Sequence, residues 1–208
     1  MIPKLSVLIP CWEQEVLAIK AVDSVPKRVD VEIIACDDGS RDNTFSNLLK
    51  YKEEHPNLNL RVYRNENNKG CAYNCNRLLS LANGEFVHYL GNDDTVITDK
   101  FSGLIDRLYG FDGDVMCFNL RINDGTVWVV NEESYRHLCA QSVRFIRKSI
   151  TDGLIFPEHI VGASDWYFAE DLLKRNPKTV YTNILAYNYN HPRFGSLMNL
   201  RARGIIKE

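Results

Sequence analysis

The chain has 208 residues, of which 45% are apolar and 25% charged, and a formal charge of −2. That is the balance of an ordinary globular protein long enough to bury a substantial core. It excludes a broad electrostatic pull toward nucleic acid or anionic lipid, and no apolar run approaches the length of a membrane span.

The first half alternates between two patterns. Residues 5–10 (LSVLIP) form a short apolar strand. Residues 15–25 have helical spacing through Val16, Ile19, Ala21 and Val22 and stop at Pro26. A second strand follows at 31–36 (VEIIAC). A helix over 44–55 carries Phe45, Leu48 and Leu49 on one side, and a third strand covers 58–65. Residues 71–82 read as a helix stopped by Asn83-Gly84, and 85–90 (EFVHYL) as a fourth strand. This alternation implies parallel strands joined by crossover helices, covered on both faces.

The pattern then becomes less regular. Asp99 is placed to cap a helix over 100–109, and 114–120 is a strand. Asp124-Gly125 between apolar runs signals a hairpin. A short helix at 133–141, a strand at 142–149 and a helix at 164–176 with an apolar stripe complete the reading. There is no repeat or linker, so one domain over 1–208 is expected, with a nucleotide-type half over 1–98 and an acceptor-side half with a tail over 99–208. The six cysteines (Cys11, Cys36, Cys71, Cys75, Cys117, Cys139) are scattered without a C-x-x-C pair. They read as reduced thiols rather than a zinc site, although Cys71 and Cys75 can share a helix face. The N-terminus lacks a signal-peptide pattern, and the expected location is cytoplasmic.

Three polar clusters follow strands: Pro10-Cys11-Trp12-Glu13, Asp37-Asp38-Gly39-Ser40 and Gly91-Asn92-Asp93-Asp94. Ligands of open parallel sheets sit beyond the carboxyl ends of the strands. If strands one, two and four are neighbours, these acids converge, and their repulsion calls for a cation shared with substrate phosphates. Each cluster alone is also ordinary turn chemistry, with Ser40 or Asp42 able to cap the next helix. Their joint placement after strands favours a site.

The ordered set SVLIPCWE, EIIACDDGSRDNT, NNKGCAYNCNRLLSLANGEFVHYLGNDD and GASDWYFAEDLLKR resembles the family 2 glycosyltransferases, over about residues 5–190. The resemblance implies an α/β fold: a GT-A type, Rossmann-like sandwich with a mostly parallel central sheet and helices on both faces. It implies an inverting transfer of sugar from a nucleotide-diphospho-sugar, UDP-sugar favoured, to a hydroxyl on a glycan, lipid-linked or other acceptor. The loop of Pro10, Cys11, Trp12 and Glu13 would hold the nucleotide together with Asp38, with Pro10, Trp12 and Asp38 at the base. Asn68, Gly70 and Asn92 would line the donor, and Asp93 would bind ribose. Asp94 would hold Mn²⁺ or Mg²⁺ against the diphosphate, with His191 as a second contact. Asp165 would be the general base, where the alternative is a helix cap by Ser164 or Asp165.

The chain also departs from the family. Many relatives carry an additional acid at the position of Gly91, a Glu at that of Ser164, and an Arg near Cys75, although Asn76 matches. Lys69, Arg77, Arg193, Arg201 or Arg203 would then supply positive charge to the diphosphate. Two other functions compete. A nucleotidyltransferase needs a glycine-rich, basic loop after the first strand, and PCWEQE has neither feature. A non-catalytic sugar-nucleotide binding module is kept open by Gly91 and Ser164.

Overall fold

The computed structural model describes residues 2–133, 141–160 and 162–191. The first strands are β1 (Leu5–Cys11), β2 (Val31–Asp37), β3 (Leu60–Arg64) and β4 (Phe86–Tyr89), separated by α1 (Leu17–Ser24), α2 (Thr44–Glu54) and α3 (Cys71–Leu81). There follow β5 (Thr95–Val96), α4 (Thr98–Arg107), β6 (Val115–Ile122), β7 (Val127–Trp128), β8 (Arg144–Arg147), α5 (Ser164–Leu173) and β9 (Thr179–Tyr189).

These strands form one sheet in the order β3-β2-β1-β4-β8-β6-β9-β5, with β7 paired to β6. β1 lies parallel to both β2 and β4, and β2 parallel to β3. All of β2 and β4 is buried, and in β1 only Pro10 is less than fully so. That is why these segments read as continuous apolar runs rather than alternating ones. β8 runs antiparallel to β4 and β6, and β9 runs parallel to β6 and antiparallel to β5. The mixed half is therefore built on an otherwise parallel sheet.

The helices bury stripes at helical spacing: Ala18, Ala21 and Val22 in α1, Leu78 and Leu79 with Cys75 in α3, and Phe101, Leu104 and Ile105 in α4. The mixed half centres on an aromatic cluster. Phe101 packs against Phe145 at 5.0 Å and Phe118 at 6.0 Å, and all three rings surround His88. Truncating Phe101 to Ala would cost about 3–5 kcal/mol.

Three local expectations change. Asp99 does not cap α4; the helix begins at Thr98 after Ile97, without a side-chain cap, and Asp99 sits in the first turn. Gly84 does not end α3 by a left-handed residue. It is required because a Cβ there would lie 2.6 Å from the Ser6 backbone nitrogen, so it allows the α3–β4 turn to press against β1. β9 and β5 carry no strand signature in the sequence reading, yet they pair with each other. The hairpin at Asp124-Gly125 is present between β6 and β7, with Gly125 at φ 89°. The helix expected at 133–141, Cys139, and the tail with Arg193, Arg201 and Arg203 fall wholly or largely outside the described residues.

Candidate functional site

Because β1 is flanked by β2 and β4, the three polar clusters share one edge of the sheet. Cys11 and Asp37, the last residues of β1 and β2, are in register. The next residue extends the pairing, since the Asp38 N–H donates to the Cys11 carbonyl at 2.8 Å.

The β1 and β2 loops are stapled together. The backbone N–H groups of Glu13, Gln14 and Glu15 donate to Ser40 Oγ (2.9 Å), Thr44 Oγ1 (2.9 Å) and Asp42 Oδ2 (3.3 Å). Glu13 adopts φ 47°, a conformation that this set of bonds holds in place. Its carboxylate accepts from Arg41 Nε at 2.9 Å. Asp42 also accepts from the Thr44 N–H at 3.0 Å, serving the first turn of α2 from two residues before it. Trp12 stands out of this loop with 46% of its surface exposed, available to a flat ligand. Pro10 is half-buried. Cys11 is buried, and its thiol donates to the Ile9 carbonyl.

Asp38 is buried and acts as a clamp. Its Oδ1 accepts from Asn65 Nδ2 (2.6 Å) and the Lys69 N–H (3.0 Å), and its Oδ2 accepts from the Gly70 N–H (2.8 Å). It thus sets the loop that leads into α3, where Gly70 takes φ 93°. Asn68 is exposed and caps the same Gly70 N–H through Oδ1 at 3.0 Å. Arg77 donates to the Arg64 carbonyl and to Asn65 Oδ1, so this cation braces the loop. Asn76 bonds the backbone of Phe156 in both directions, 2.9 and 2.8 Å.

The adjacent Asp37 is fully buried, and burial holds its carboxyl above the usual range. Its Oδ2 accepts from the Ser40 N–H and forms an ion pair with Arg64 Nε at 3.1 Å, while Oδ1 has no hydrogen-bond partner among the described residues.

The two carboxylates after β4 are differently placed. Asp93 and Asn92 are half-buried, whereas Asp94 is buried. Asp94 Oδ2 accepts from the Tyr187 hydroxyl at 2.6 Å, and Oδ1 accepts from the Asn190 N–H at 2.8 Å. Tyr187 in turn accepts from the Gly91 N–H at 3.2 Å. Gly91 is needed here: a Cβ would lie 2.5 Å from Asp94 Oδ2. The space that a side chain at position 91 would enter is thus taken by the Asp94 carboxylate. His191 stacks on Tyr189 with centroids 5.3 Å apart, next to the Asn190 amide that holds Asp94.

Asp165 lies half-buried in the first turn of α5 and accepts from the Trp166 N–H at 3.0 Å. The N-cap is Ala163, without a side-chain cap bond, so neither Ser164 nor Asp165 occupies the capping position. Burial, and then the charges of Asp94, Asp93 and Asp165, push the Tyr189 hydroxyl up to about 12. Asp165 and Asp38 likewise both act on the Cys71 and Cys75 thiols. Four acids from three separate chain segments thus act on Tyr189 or on the two thiols, and Asp165 acts on both.

Among the described residues no three His, Cys, Asp or Glu side chains gather into a metal cage. An ion shared with a diphosphate needs only one or two protein carboxylates. Asp94, with its orientation fixed by Tyr187 and Asn190, fits that role as a hard oxygen ligand. The sequence reading missed Tyr187, Asn190 and Asn65. Outside this region, a shallow concavity lined by Leu49, Lys52, Glu53, Pro56 and Leu58 lies at the end of α2 and carries none of these groups.

The model of glycosyl transferase family 2 matches residues 6–186. A GalNAc(5)-diNAcBac-PP-undecaprenol β-1,3-glucosyltransferase of Campylobacter jejuni is 35% identical over 108 residues, covering 50% of this chain and 34% of that protein. An uncharacterised glycosyltransferase of Mycoplasma pneumoniae is 24% identical over 95% of this chain and 72% of its own length. Among solved structures, Staphylococcus aureus TarS 1–349 in complex with UDP superposes with a TM-score of 0.76 at 21% identity, covering 90% of this chain and 60% of that one. A mannosyltransferase from Pyrobaculum calidifontis, in complex with GDP-Man and Mn²⁺, gives a TM-score of 0.73 at 17% identity, covering 100% and 66%. The chain thus spans about a third of the Campylobacter enzyme and under two thirds of the TarS fragment, and at these identities the two structures show a common fold.

Proposed function

The chain belongs to glycosyl transferase family 2, and from that premise we propose that it transfers a sugar from a nucleotide-diphospho-sugar, preferably a UDP-sugar, to an acceptor hydroxyl with inversion at the anomeric carbon. The observation that supports this reading is Asp94, pinned by Tyr187 and Asn190 in the loop after β4, on the same sheet edge as the loop that Asp38 clamps. The nucleoside lies against Trp12 and the loop set by Asp38, and Asp93 accepts from the ribose hydroxyls. Asp94, with His191 beside it, would hold Mn²⁺ or Mg²⁺. A bound cation would neutralise charge developing on the leaving diphosphate.

Asp165 takes the proton from the acceptor hydroxyl, whose oxygen attacks the anomeric carbon as the nucleoside diphosphate departs. Positioning of donor and acceptor supplies much of the rate in such a displacement. Relatives named for transfer to undecaprenol-diphosphate-linked sugars and to poly(ribitol-phosphate) support an acceptor hydroxyl on a lipid-linked or polymeric glycan.

Calorimetry tests the donor side. UDP is expected to bind more tightly with Mn²⁺ than without it, and Asp94→Ala is expected to remove the difference. Unchanged Mn²⁺ dependence in that variant rejects the assignment. Donor turnover, assayed with candidate acceptors, separates an enzyme from a binding module.

A further inference from the structure

The C-terminal end of β9 carries two tyrosines on one face. Successive side chains of a strand alternate, so Tyr187 and Tyr189 point the same way. The register of β9 on β6 is unbroken from Tyr187 to Tyr189, which preserves that alternation. Tyr187 reaches Asp94 with its hydroxyl, and Tyr189 is the next residue on that face. The Tyr189 ring stacks on His191 with an interplanar angle of 6° and meets Trp128 at a centroid distance of 6.3 Å. Asn190, between the stacked pair in sequence, holds Asp94 through its N–H. Packing thus fixes the Tyr189 ring beside the loop that carries Asp93 and Asp94.

The Tyr189 hydroxyl takes no part in that packing. Among the described residues nothing hydrogen-bonds to it, while the charges of Asp94, Asp93 and Asp165 all bear on it. On the proposed function, Asp93 and Asp94 attend the ribose and diphosphate of the donor, and Asp165 attends the acceptor. In a direct displacement the sugar in transit lies between the leaving diphosphate and the attacking oxygen. We propose that Tyr189 binds the transferred sugar, its hydroxyl hydrogen-bonding a ring hydroxyl of the donor hexose and so helping to select which sugar is accepted. A hydroxyl within reach of both sets of acids meets the one part of the donor that lies between them. A phenol both donates and accepts, so it suits either polarity of a sugar hydroxyl. Because the ring is already held by His191 and Trp128, little freedom is lost when the sugar binds. A group placed to bond a substrate hydroxyl disfavours an isomer that leaves it unpaired.

This role rests on the transferase reading, so the test compares ligands with and without the sugar. Tyr189→Phe keeps both ring contacts and deletes only the hydroxyl. Calorimetry with Mn²⁺ and no acceptor compares UDP with UDP-glucose, UDP-galactose and UDP-N-acetylglucosamine. Affinity for the UDP-sugar that the parent binds most tightly should fall by about two- to tenfold in the variant. Affinity for UDP and the melting temperature should stay the same. The spread of affinities among the three sugars should narrow, and an unchanged spread rejects a part in selection. Equal losses for UDP and UDP-sugar, or no loss for either, overturn the assignment and leave the transferase reading standing. A parent that binds none of the four ligands overturns both.

Discussion

The Tyr187 hydroxyl donates a 2.6 Å hydrogen bond to Asp94 Oδ2, joining the C-terminal end of β9 to the loop after β4. On the proposed function Asp94 would face a cation, and a buried carboxylate in that role needs such a partner to keep a fixed direction. Tyr187→Phe keeps the ring packing and removes only the hydroxyl. Mn²⁺-dependent affinity for UDP is expected to fall by about ten- to a hundredfold, with UDP binding in the absence of metal unchanged. Calorimetry with and without Mn²⁺ makes the comparison, and equal losses in both conditions reject a positioning role.

Gly91 offers a second route to the same carboxylate. Gly91→Ala places a methyl 2.5 Å from the Asp94 Oδ2 position. Asp94 cannot move aside without breaking its bonds to Tyr187 and Asn190, so cation-dependent binding should weaken about as much as in Tyr187→Phe. Gly103→Ala, at an exposed position of α4 where an added Cβ meets nothing within 4 Å, is the control. It should leave binding unchanged and stabilise the helix by about 0.5–1 kcal/mol, measured by urea denaturation.

Asp165→Asn separates a base from a structural carboxylate. Asn retains the oxygen that accepts from the Trp166 N–H. Transfer should fall by roughly a hundredfold or more, while donor affinity and melting temperature stay within error. Transfer at the parent rate removes Asp165 from the mechanism.

His88 predicts a pH dependence of stability. Burial among Phe101, Phe118, Phe145 and Tyr187 lowers its pKa to about 4, against an ordinary 6.5, despite the bond to the Arg144 carbonyl. The unfolded chain therefore takes up a proton between these values while the folded chain does not. Stability from neutral His88 is complete above pH 6.5 and is lost as pH falls toward 4, by about 3 kcal/mol at 1.36 kcal/mol per pK unit. Urea denaturation across that range should show the slope, and His88→Gln should flatten it. A slope unchanged in the variant assigns it to other groups.

Legibility in the sequence followed the range of the interactions. β1, β2 and β4 are buried on both faces, so their apolar runs announce them, and the acids at their ends stand out by contrast. β9 mixes exposed, half-buried and buried positions without a strict alternation, and its strand character comes from pairing with β6 and β5. Tyr187 and Asn190 reach Asp94 across 93 and 96 residues. No local pattern encodes such a partner. Asn65 is hidden for the same reason, since it holds Asp38 from 27 residues away. Asp124-Gly125, whose turn is decided by neighbouring residues, could be read directly.

The dependence of Asp94 on β9 also bears on the order in which the molecule becomes competent. During synthesis the chain through β4 emerges well before residues 187–190. The parallel strands β1, β2 and β4 can pair with one another then, before β8 adds to the other edge of β4. Asp94, however, stays undirected until β9 docks against β6 and β5. Pairings of such long sequence separation form late, because loop closure precedes any gain from contact. On the proposed function, a nascent or partly opened chain would thus hold an assembled nucleoside side before it could coordinate a cation. Competence for metal-dependent binding would then arrive when β9 docks, and on unfolding it should be the first property lost.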